Sequence, residues 1–300
     1  MAWRTLDGKP PRVIAHRGAS GLRPEHTLPG YALAIAQGAD LIEPDLVPSR
    51  DGVLIARHER ELSRSTDVAS RRSWRDPIKR YTKDNAKWFA EDFDAERIAD
   101  LRAVQPFPAR SQSFDGQFEI PRFSEVLDLA ADEWNAGRLL GVYPEIKHPL
   151  ELLAKGIDST ALLIVELQAR GLTGAASPVW VQCFEIEPLR RVHQTCGNPV
   201  FALYERLDSE QLKAVQAASP WLAGVALSKA NVIGSTAEPG LVGFAHTLGL
   251  QVHVWTLRDD AVMRDFVNVQ AEYRALFEVG ADALFCDFPG SAVSARQLWQ

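Results

Sequence analysis

The chain has 300 residues, of which 46% are hydrophobic and 24% are charged, and its formal net charge at pH 7 is −6. These values are typical of a globular protein with a large core, and the negative charge argues against a nucleic-acid-binding protein, which usually carries a basic stripe. No apolar run approaches the roughly twenty residues that a membrane-spanning helix requires, so we expect no stable membrane insertion. The sequence leaves the oligomeric state open.

The N-terminal segment, residues 1–12, is polar and lacks the apolar centre of a secretory signal peptide. We therefore expect a cytoplasmic protein, or a periplasmic one if an export signal has been removed. The three cysteines, Cys183, Cys196 and Cys286, occur at no spacing typical of a metal site. Cys183 and Cys286 lie within apolar runs and are expected to be small core residues.

Short β-like runs alternate with amphipathic helical stretches from Leu139 onward, which indicates a parallel sheet whose strands are connected by helices. Gly249 and Gly280 follow two of the helical stretches, at positions where glycine commonly ends a helix. Strands are predicted at residues 12–16, 41–47, 140–147, 179–184, 199–204, 224–228, 251–256 and 283–287. Helices are predicted at residues 27–38, 123–136, 149–170, 186–195, 209–218, 238–248, 270–279 and 290–298. This pattern predicts a single (β/α)8 TIM barrel over residues 1–300.

A connection of about sixty residues separates His58 from the next predicted helix, and a loop of this length in a compact domain is usually functional or disordered. Its aromatic residues, among them Trp74, Trp88 and Phe89, favour an ordered insertion, as does a helical pattern near 95–103. Because the segment leaves the chain at the end of an apolar run, we expect it to cover that rim of the barrel. The alternative is a solvated excursion with no role in substrate binding.

Three carboxylates stand where predicted strands end. Glu43 and Asp45 share one face of a strand, and the same alternation places Glu145 beside Lys147 on another. Three carboxylates at one barrel mouth would repel each other unless a cation neutralised them, and oxygen ligands favour Mg²⁺ or Ca²⁺. Zinc is disfavoured because no histidine and cysteine ligand set is evident. The alternative is that each carboxylate is an ordinary surface or salt-bridged group.

Two histidines also follow apolar runs. His16 and His58 are candidates for proton transfer because imidazole titrates near neutral pH, although a single histidine in such a place is more often structural. Arg17 offers a planar guanidinium that matches two phosphate oxygens, or alternatively a salt bridge to a neighbouring carboxylate. Gly18 and Gly21 resemble turn glycines that let the backbone approach a ligand.

Further candidates lie in the later strands. Gln182 and Trp255 are candidates for substrate contact, and Trp255 could equally fill the barrel mouth. His253 lies deeper in its strand and is expected to be structural. Asp287 ends the last strand, where it is expected to close the barrel or cap the next helix, with contact to the substrate as the alternative. The remaining histidines are expected to have no role in the site: His26, His148, His193 and His246.

The ordered motifs of the chain closely resemble those of the glycerophosphodiester phosphodiesterase family, above all its bacterial members with PEHT and PEIK motifs. They comprise the run VIAHRGASGLRPEHTLPGYALAIAQGADLIEPDLVPSRDGVLIARHE, followed in order by YPEIK, VQCF, VHVWTL and LFCDFP. The resemblance covers nearly the whole chain. It implies a TIM barrel with an insertion after the second strand region, which corresponds here to residues 59–122.

The resemblance also implies roles for the motif residues. His16 in HRG and His58 in ARHE match the general acid and base of the family. Glu43 and Asp45 in EPD, with Glu145 in PEIK, match its metal ligands. The missing signal peptide is a departure, because the relatives that look most similar are typically exported.

Three further residues match family positions around the phosphate. Arg17 and Lys147 match positions that contact it, and Glu25 in PEHT is expected to orient Arg17 or His16. The insertion aromatics are expected to help select the alcohol part of the substrate.

The activity that the resemblance implies is metal-dependent hydrolysis of small-molecule glycerophosphodiesters, such as glycerophosphocholine, to sn-glycerol 3-phosphate and an alcohol. We expect one histidine to activate the hydroxyl next to the phosphorylated carbon while the other protonates the leaving alcohol, with attack by water as the alternative. A phospholipase of the same barrel superfamily is a second interpretation, but it would need an exposed apolar rim. A barrel that only binds its ligand is disfavoured by the retained histidines and carboxylates.

Overall fold

Parallel β-strands form the centre of the molecule in the computed structural model, which describes residues 2–74, 79–82 and 85–299. The strands are β1 (Arg12–His16), β2 (Leu41–Glu43), β3 (Asp45–Pro48), β4 (Leu54–Ala56), β5 (Lys79–Thr82), β6 (Asn85–Lys87), β7 (Gly141–Val142), β8 (Glu145–Ile146), β9 (Val181–Cys183), β10 (Val200–Tyr204), β11 (Gly224–Ser228), β12 (Gln251–Leu257) and β13 (Ala283–Cys286). Among the described residues, β4 runs antiparallel to β3, and β5 and β6 form a separate antiparallel pair. The other pairings of named strands are parallel.

The parallel strands close into a ring. β2 and β3 are two parts of one barrel strand divided at Pro44, and β7 and β8 are two parts of the next, divided at Pro144. The two divided strands lie side by side, because β2 pairs with β7 and β3 pairs with β8. The ring continues through β9, β10, β11, β12 and β13 to β1, which pairs with β2. The predicted TIM barrel is therefore confirmed. The strands predicted at 41–47 and 140–147 are each interrupted, because proline has no N–H to donate to the ladder.

Helices connect the strands around the outside of the barrel. The helix predicted at 149–170 is two helices, because Gly156 adopts a φ of +85° after the first of them. The helix predicted at 238–248 begins only at Leu241. The sequence does not predict the helix at Lys229–Ile233, because its 5 residues are too few to show a helical period. Across the described part of the chain, no helix is long and apolar enough to cross a membrane. The helices are α1 (Leu28–Ala36), α2 (Ala95–Ala99), α3 (Phe123–Asn135), α4 (Pro149–Ala154), α5 (Ser159–Ala169), α6 (Ile186–Cys196), α7 (Ser209–Ala218), α8 (Lys229–Ile233), α9 (Leu241–Thr247), α10 (Val269–Val279) and α11 (Pro289–Gln297).

The apolar core has one layer between the barrel and its helices and another inside the barrel. Alternate side chains of each strand point into the interior, which is a packed core rather than a channel. The buried apolar residues of this interior are Ile14, Leu41, Tyr143, Phe201, Leu203, Ala226, Ala283 and Phe285.

The insertion at 59–122 is ordered where the structure describes it, and it has a core of its own that includes Val47 and Ile55 from β3 and β4. Trp74 and Trp88 belong to this core, with exposed fractions of 2% and 7%. The indole N–H of Trp88 donates to the backbone carbonyl of Trp74 at 3.0 Å. The expectation that the insertion aromatics contact the substrate is therefore wrong for these two, because a segment of this length needs them to bury its own surface.

His253 is fully buried inside the barrel. Its Nδ1 lies 3.0 Å from the hydroxyl of Tyr143, its Nε2 lies 3.1 Å from Oε1 of Gln251, and its ring stacks on Phe201 with centroids 4.2 Å apart. Burial lowers the pKa of His253 to about 3. This placement fits the structural role that the sequence predicts.

We predict that His253 makes the protein less stable as the pH falls. The imidazole of the unfolded chain takes up a proton near pH 6.5, whereas the folded protein keeps it neutral down to about pH 3. Its contribution to the free energy of unfolding is therefore complete above pH 6.5 and decreases below it, by about 1.4 kcal/mol for each pH unit. Denaturant titrations at pH 7 and pH 5 should show a stability difference between wild type and His253→Gln that narrows at pH 5. A difference independent of pH would contradict a buried neutral imidazole.

Candidate active site

The side chains at the C-terminal ends of the barrel strands enclose a cleft of about 140 Å³. Of the residues predicted for the site, Glu25 and Asp45 are absent from its lining, and both are buried in contact with Arg17, which lines it. The cleft is lined by His16, Arg17, Glu43, His58, Glu145, Lys147, Gln182, Phe184, Leu203, Trp255, Thr256, Arg258 and Phe285.

A cluster of carboxylates occupies one side of the site. Glu43, Asp45 and Glu145 each contribute an oxygen to a group in which all three oxygens lie within 4.8 Å of one another. Glu43 ends β2, while Asp45 and Glu145 begin β3 and β8 and are partners in the register of those two strands. The convergence expected from strand alternation is therefore present even though prolines divide the strands.

Burial makes it costly for this cluster to carry its full charge. Burial, reinforced by Asp45 and Glu145, raises the pKa of Glu43 well above its usual range. Burial also raises the pKa of Glu145 to about 7, although the ammonium of Lys147 opposes the change. At Asp45 the nearby cations, Lys147 first among them, outweigh burial and hold the pKa well below its usual range. An additional cation would remove the repulsion that this arrangement leaves.

Two buried oxygen atoms at the cluster lack a hydrogen-bond donor. They are Oδ1 of Asp45, which has Nζ of Lys147 at 3.7 Å, and Oε1 of Gln182, whose amide donates instead to Oε1 of Glu43 at 3.1 Å. Because buried polar atoms are rarely left without a partner, these oxygens indicate a missing ligand. An all-oxygen donor set of this kind fits Mg²⁺ or Ca²⁺, as predicted, and does not choose between them.

His16 is held by a carboxylate that sequence reasoning did not connect with it. Its Nδ1 lies 2.7 Å from Oδ1 of Asp287. Burial opposes ionisation of Asp287, but the hydrogen bond from His16 and the charges of Arg258 and Arg110 outweigh it and keep the pKa of Asp287 low. An ionised carboxylate only accepts, so Nδ1 carries the hydrogen and Nε2 keeps its lone pair. Burial and the charge of Arg17 lower the pKa of His16, so the ring is neutral at pH 7.

His58 reaches the cleft by a different route from the barrel residues. β4 runs antiparallel to β3, so the chain returns along the strand that it has just left and brings His58 to the rim. The backbone N–H of Arg57 donates to the carbonyl of Asp45 at 2.9 Å, which fixes this return. Nδ1 of His58 lies 2.8 Å from Oε1 of Glu59. Each cleft histidine thus has a carboxylate at Nδ1.

Arg17 lines the cleft and contacts the buried carboxylates of Glu25 and Asp45 behind it. Its Nη1 donates to Oε2 of Glu25 at 2.9 Å, and its Nε lies 3.2 Å from Oδ2 of Asp45. Its backbone N–H donates to Oε2 of Glu43 at 2.9 Å. Arg17 has a φ of +59°, and Gly18 follows at +84°, where a side chain would meet the backbone of Gly30. The expectation that Glu25 orients Arg17 agrees with this geometry.

The comparisons with known proteins agree with the site. The sequence model of the Glycerophosphoryl diester phosphodiesterase family matches residues 16–291. The chain belongs to this family. It is 29% identical to a glycerophosphodiester phosphodiesterase of Arabidopsis thaliana, with 98% of this chain and 88% of that protein covered. It is 28% identical to a glycerophosphodiester phosphodiesterase of Haemophilus influenzae, with 94% and 88% covered.

Solved structures of the family share the fold. One is described as a glycerophosphoryl diester phosphodiesterase of Silicibacter pomeroyi; it superposes with a TM-score of 0.75 at 22% identity and covers 98% of this chain and 97% of its own. A phosphodiesterase of Oleispira antarctica, solved in complex with the product sn-glycerol-3-phosphate, has a TM-score of 0.73 at 20% identity and covers 98% and 99%. The chain is accordingly a phosphoric diester hydrolase, a glycerophosphodiester phosphodiesterase.

Sequence reasoning missed the contacts of two polar residues at this site. Of the roles expected for Asp287, capping of the next helix is wrong, because its carboxylate accepts from His16 and makes no cap hydrogen bond to α11. His26 was expected to have no role, yet its Nε2 lies 2.9 Å from Oδ2 of Asp45 and its Nδ1 lies 2.8 Å from the hydroxyl of Tyr31. The position of His26 directly after Glu25 in the PEHT motif is the signal that could have indicated it.

Proposed function

We propose that this chain hydrolyses glycerophosphodiesters such as glycerophosphocholine, with a divalent cation, to sn-glycerol 3-phosphate and an alcohol. The observation that carries the proposal is the meeting of His16 and His58, each with a carboxylate at Nδ1, beside three converging carboxylates in one cleft. A general acid, a general base and a cation site are the groups that cleavage of a phosphodiester requires. The product bound to the Oleispira protein supports the same product here.

The cation would be held by Glu43, Asp45 and Glu145. When bound, it would supply positive charge that offsets the negative charge developing on the phosphate oxygens. Arg17 and Lys147 add fixed charge at the same place, since both line the cleft. Burial opposes the charge of Lys147, but Glu145 and Asp45 outweigh it and raise the pKa of Lys147 above its usual range.

The histidines move the protons. Nε2 of His16 takes the proton of the glycerol hydroxyl next to the phosphorylated carbon, and that oxygen bonds to phosphorus. The bond between phosphorus and the alcohol oxygen breaks, and His58 gives its proton to the departing alcohol. Water then opens the cyclic phosphate with the two roles exchanged, which returns both protons and yields glycerol phosphate. Asp287 favours this direction because it stabilises the imidazolium that His16 forms.

An aromatic pair favours a cationic alcohol such as choline. The ring of Phe184 lies edge to face with Trp255, with centroids 6.0 Å apart, and both residues line the cleft. Phe184 is 49% exposed, so part of its ring is accessible to a ligand in the cleft. Quaternary ammonium groups bind to aromatic faces of this kind. We therefore assign to Phe184 and Trp255 the selection of the alcohol group, which the sequence analysis expected of the insertion aromatics.

We predict that catalysis requires a divalent cation at the carboxylate cluster. Excess EDTA should abolish turnover of glycerophosphocholine, and Mg²⁺ or Ca²⁺ should restore it. Glu145→Gln should fold but bind the ion more weakly by calorimetry, because it keeps the shape and removes the charge. Glu187→Gln, which changes an exposed glutamate on α6, is the matched control and should bind as wild type does. Full activity in excess chelator would contradict the cation site.

We predict that each cleft histidine is needed for proton transfer. His16→Ala and His58→Ala should each lower kcat by about 10²–10⁴-fold, the usual contribution of general acid–base catalysis. His193→Ala, on α6 and outside the cleft, should leave kcat unchanged. Retention of kcat in either cleft variant would remove that residue from the mechanism.

The same assay on a micellar lysophospholipid tests the phospholipase alternative.

We predict that the neighbouring hydroxyl of the substrate is the first nucleophile. An otherwise identical diester with hydrogen in place of this hydroxyl should be cleaved at least about 10²-fold more slowly, because an intramolecular attack has a large proximity advantage. Both substrates are compared at saturation, so that a difference in binding does not affect kcat. Equal rates would show that an activated water attacks phosphorus instead.

A further inference from the structure

The end of the insertion reaches the barrel rim behind His16. Arg110 donates from Nη2 to Oδ2 of Asp287 at 2.6 Å, while Nδ1 of His16 lies 2.7 Å from Oδ1 of the same carboxylate. The side chains of Arg110 and Asp287 are 3% and 2% exposed. Because each oxygen of this carboxylate has its own donor, rotation of the carboxylate would break both hydrogen bonds.

Arg110 is itself held on every side. Its Nε donates to Oδ2 of Asp260 at 2.7 Å, and its Nη1 donates to the carbonyl of Ser20 at 3.2 Å. Its guanidinium lies 4.3 Å from the ring centroid of Phe107 and 5.5 Å from that of Phe288. Nη2 also donates to Oδ1 of Asp260 at 3.1 Å, so the guanidinium is held in the plane in which its other Nη2 N–H meets Asp287.

The same part of the insertion is fastened to the loop between β1 and α1. The amide of Gln105 donates to the carbonyls of Ser20 and Arg23 at 3.1 and 3.3 Å. In that loop, a side chain at Gly21 would come within 2.3 Å of the ring of Phe288, so the loop and the residue after Asp287 are in close contact. The insertion, the β1–α1 loop and the end of β13 are therefore packed together at this point.

We infer that Arg110 is a positioning residue, through which the insertion holds Asp287 in the orientation that aligns His16 for proton transfer. The inference rests on the proposed role of His16 as a base. Arg258, whose Nε lies 3.0 Å from Oδ2 of Asp287, is 31% exposed and makes a second, less enclosed contact. Loss of Arg110 would leave Oδ2 of Asp287 in contact only with the more exposed Arg258, and the carboxylate would be oriented less firmly towards His16.

The test compares variants by steady-state kinetics on glycerophosphocholine. Arg110→Gln should lower kcat about 10–100-fold, the size of effect expected from a small misplacement of a catalytic group, with KM within about twofold of wild type. Arg102→Gln is the matched control. It removes another arginine of the insertion, which pairs with Glu119 and does not touch Asp287, so kcat should stay within about twofold.

A double variant shows whether Arg110 acts through Asp287. Arg110→Gln combined with Asp287→Asn should be no slower than Asp287→Asn alone, because both changes misalign the same histidine. If the two effects multiply, or if Arg102→Gln lowers kcat as much as Arg110→Gln, the inference is overturned. Unchanged kcat in Arg110→Gln overturns it as well.

Thermal denaturation and near-ultraviolet circular dichroism establish that each variant is folded. If Arg110→Gln does not fold, Arg110→Lys replaces it, since lysine keeps the buried charge but lacks the planar fork that bonds Asp260 and Asp287 at once. The same fall in kcat and the same lack of further loss with Asp287→Asn are expected. His16→Ala separates the two hypotheses. If His16→Ala is inactive and the Arg110 variants retain wild-type kcat, the inference alone fails, whereas an active His16→Ala removes the proposed function of His16 with it.

Discussion

Glu43, Asp45 and Glu145 place three carboxylates at the mouth of a closed barrel, where charged groups lose most of their hydration. The arrangement persists only if positive charge is brought to it. Arg17 and Lys147 supply part of that charge from the barrel itself. In the proposed function, a bound cation would offset the repulsion that remains, and the same two side chains would face the phosphate of the substrate.

The need for compensation extends outward from the cleft. Arg17 is held by Glu25, and the backbone carbonyl of Glu25 accepts from the fully buried guanidinium of Arg57 at 3.0 Å. Arg57 also donates to the carbonyl and to the hydroxyl of Ser65, a residue of the insertion, at 2.9 Å in each case. Burial lowers the pKa of Arg57 to about 10, so it stays charged at neutral pH. The insertion is thus joined to the site by two buried arginines, Arg57 on the His58 side and Arg110 on the His16 side.

This arrangement explains why the insertion has its own apolar core. Trp74 and Trp88 bury the segment against Val47 and Ile55, which gives it a fixed position on the barrel. In a flexible loop, holding Arg110 in one orientation would cost conformational entropy each time the site forms. In a packed segment, that entropy is already lost when the protein folds. The insertion is therefore a packed support beside the cleft, and the proposed aromatic contact with the substrate is assigned to Phe184 and Trp255, which line the cleft.

The sequence by itself determined the barrel and most of the cleft. Strand alternation places Glu43 with Asp45 and Glu145 with Lys147, and the ends of parallel strands meet at one rim, so local patterns were enough to bring these groups together. The resemblance to a family added roles to them. The divisions at Pro44 and Pro144 and the short helix α8 escaped detection, because single residues and single turns leave no periodic signal.

The tertiary structure alone decided which partners hold the catalytic groups. His16 meets Asp287 across 271 residues of sequence, and Asp287 meets Arg110 across 177. No local period or spacing encodes a contact of that kind, because the register of the closed barrel and the docking of the insertion determine it. The role of His26 also depended on the fold, since only the folded chain brings its ring to Asp45. Sequence patterns specify which side chains face a site, whereas the hydrogen bonds that orient them depend on distances that exist only after the barrel has closed.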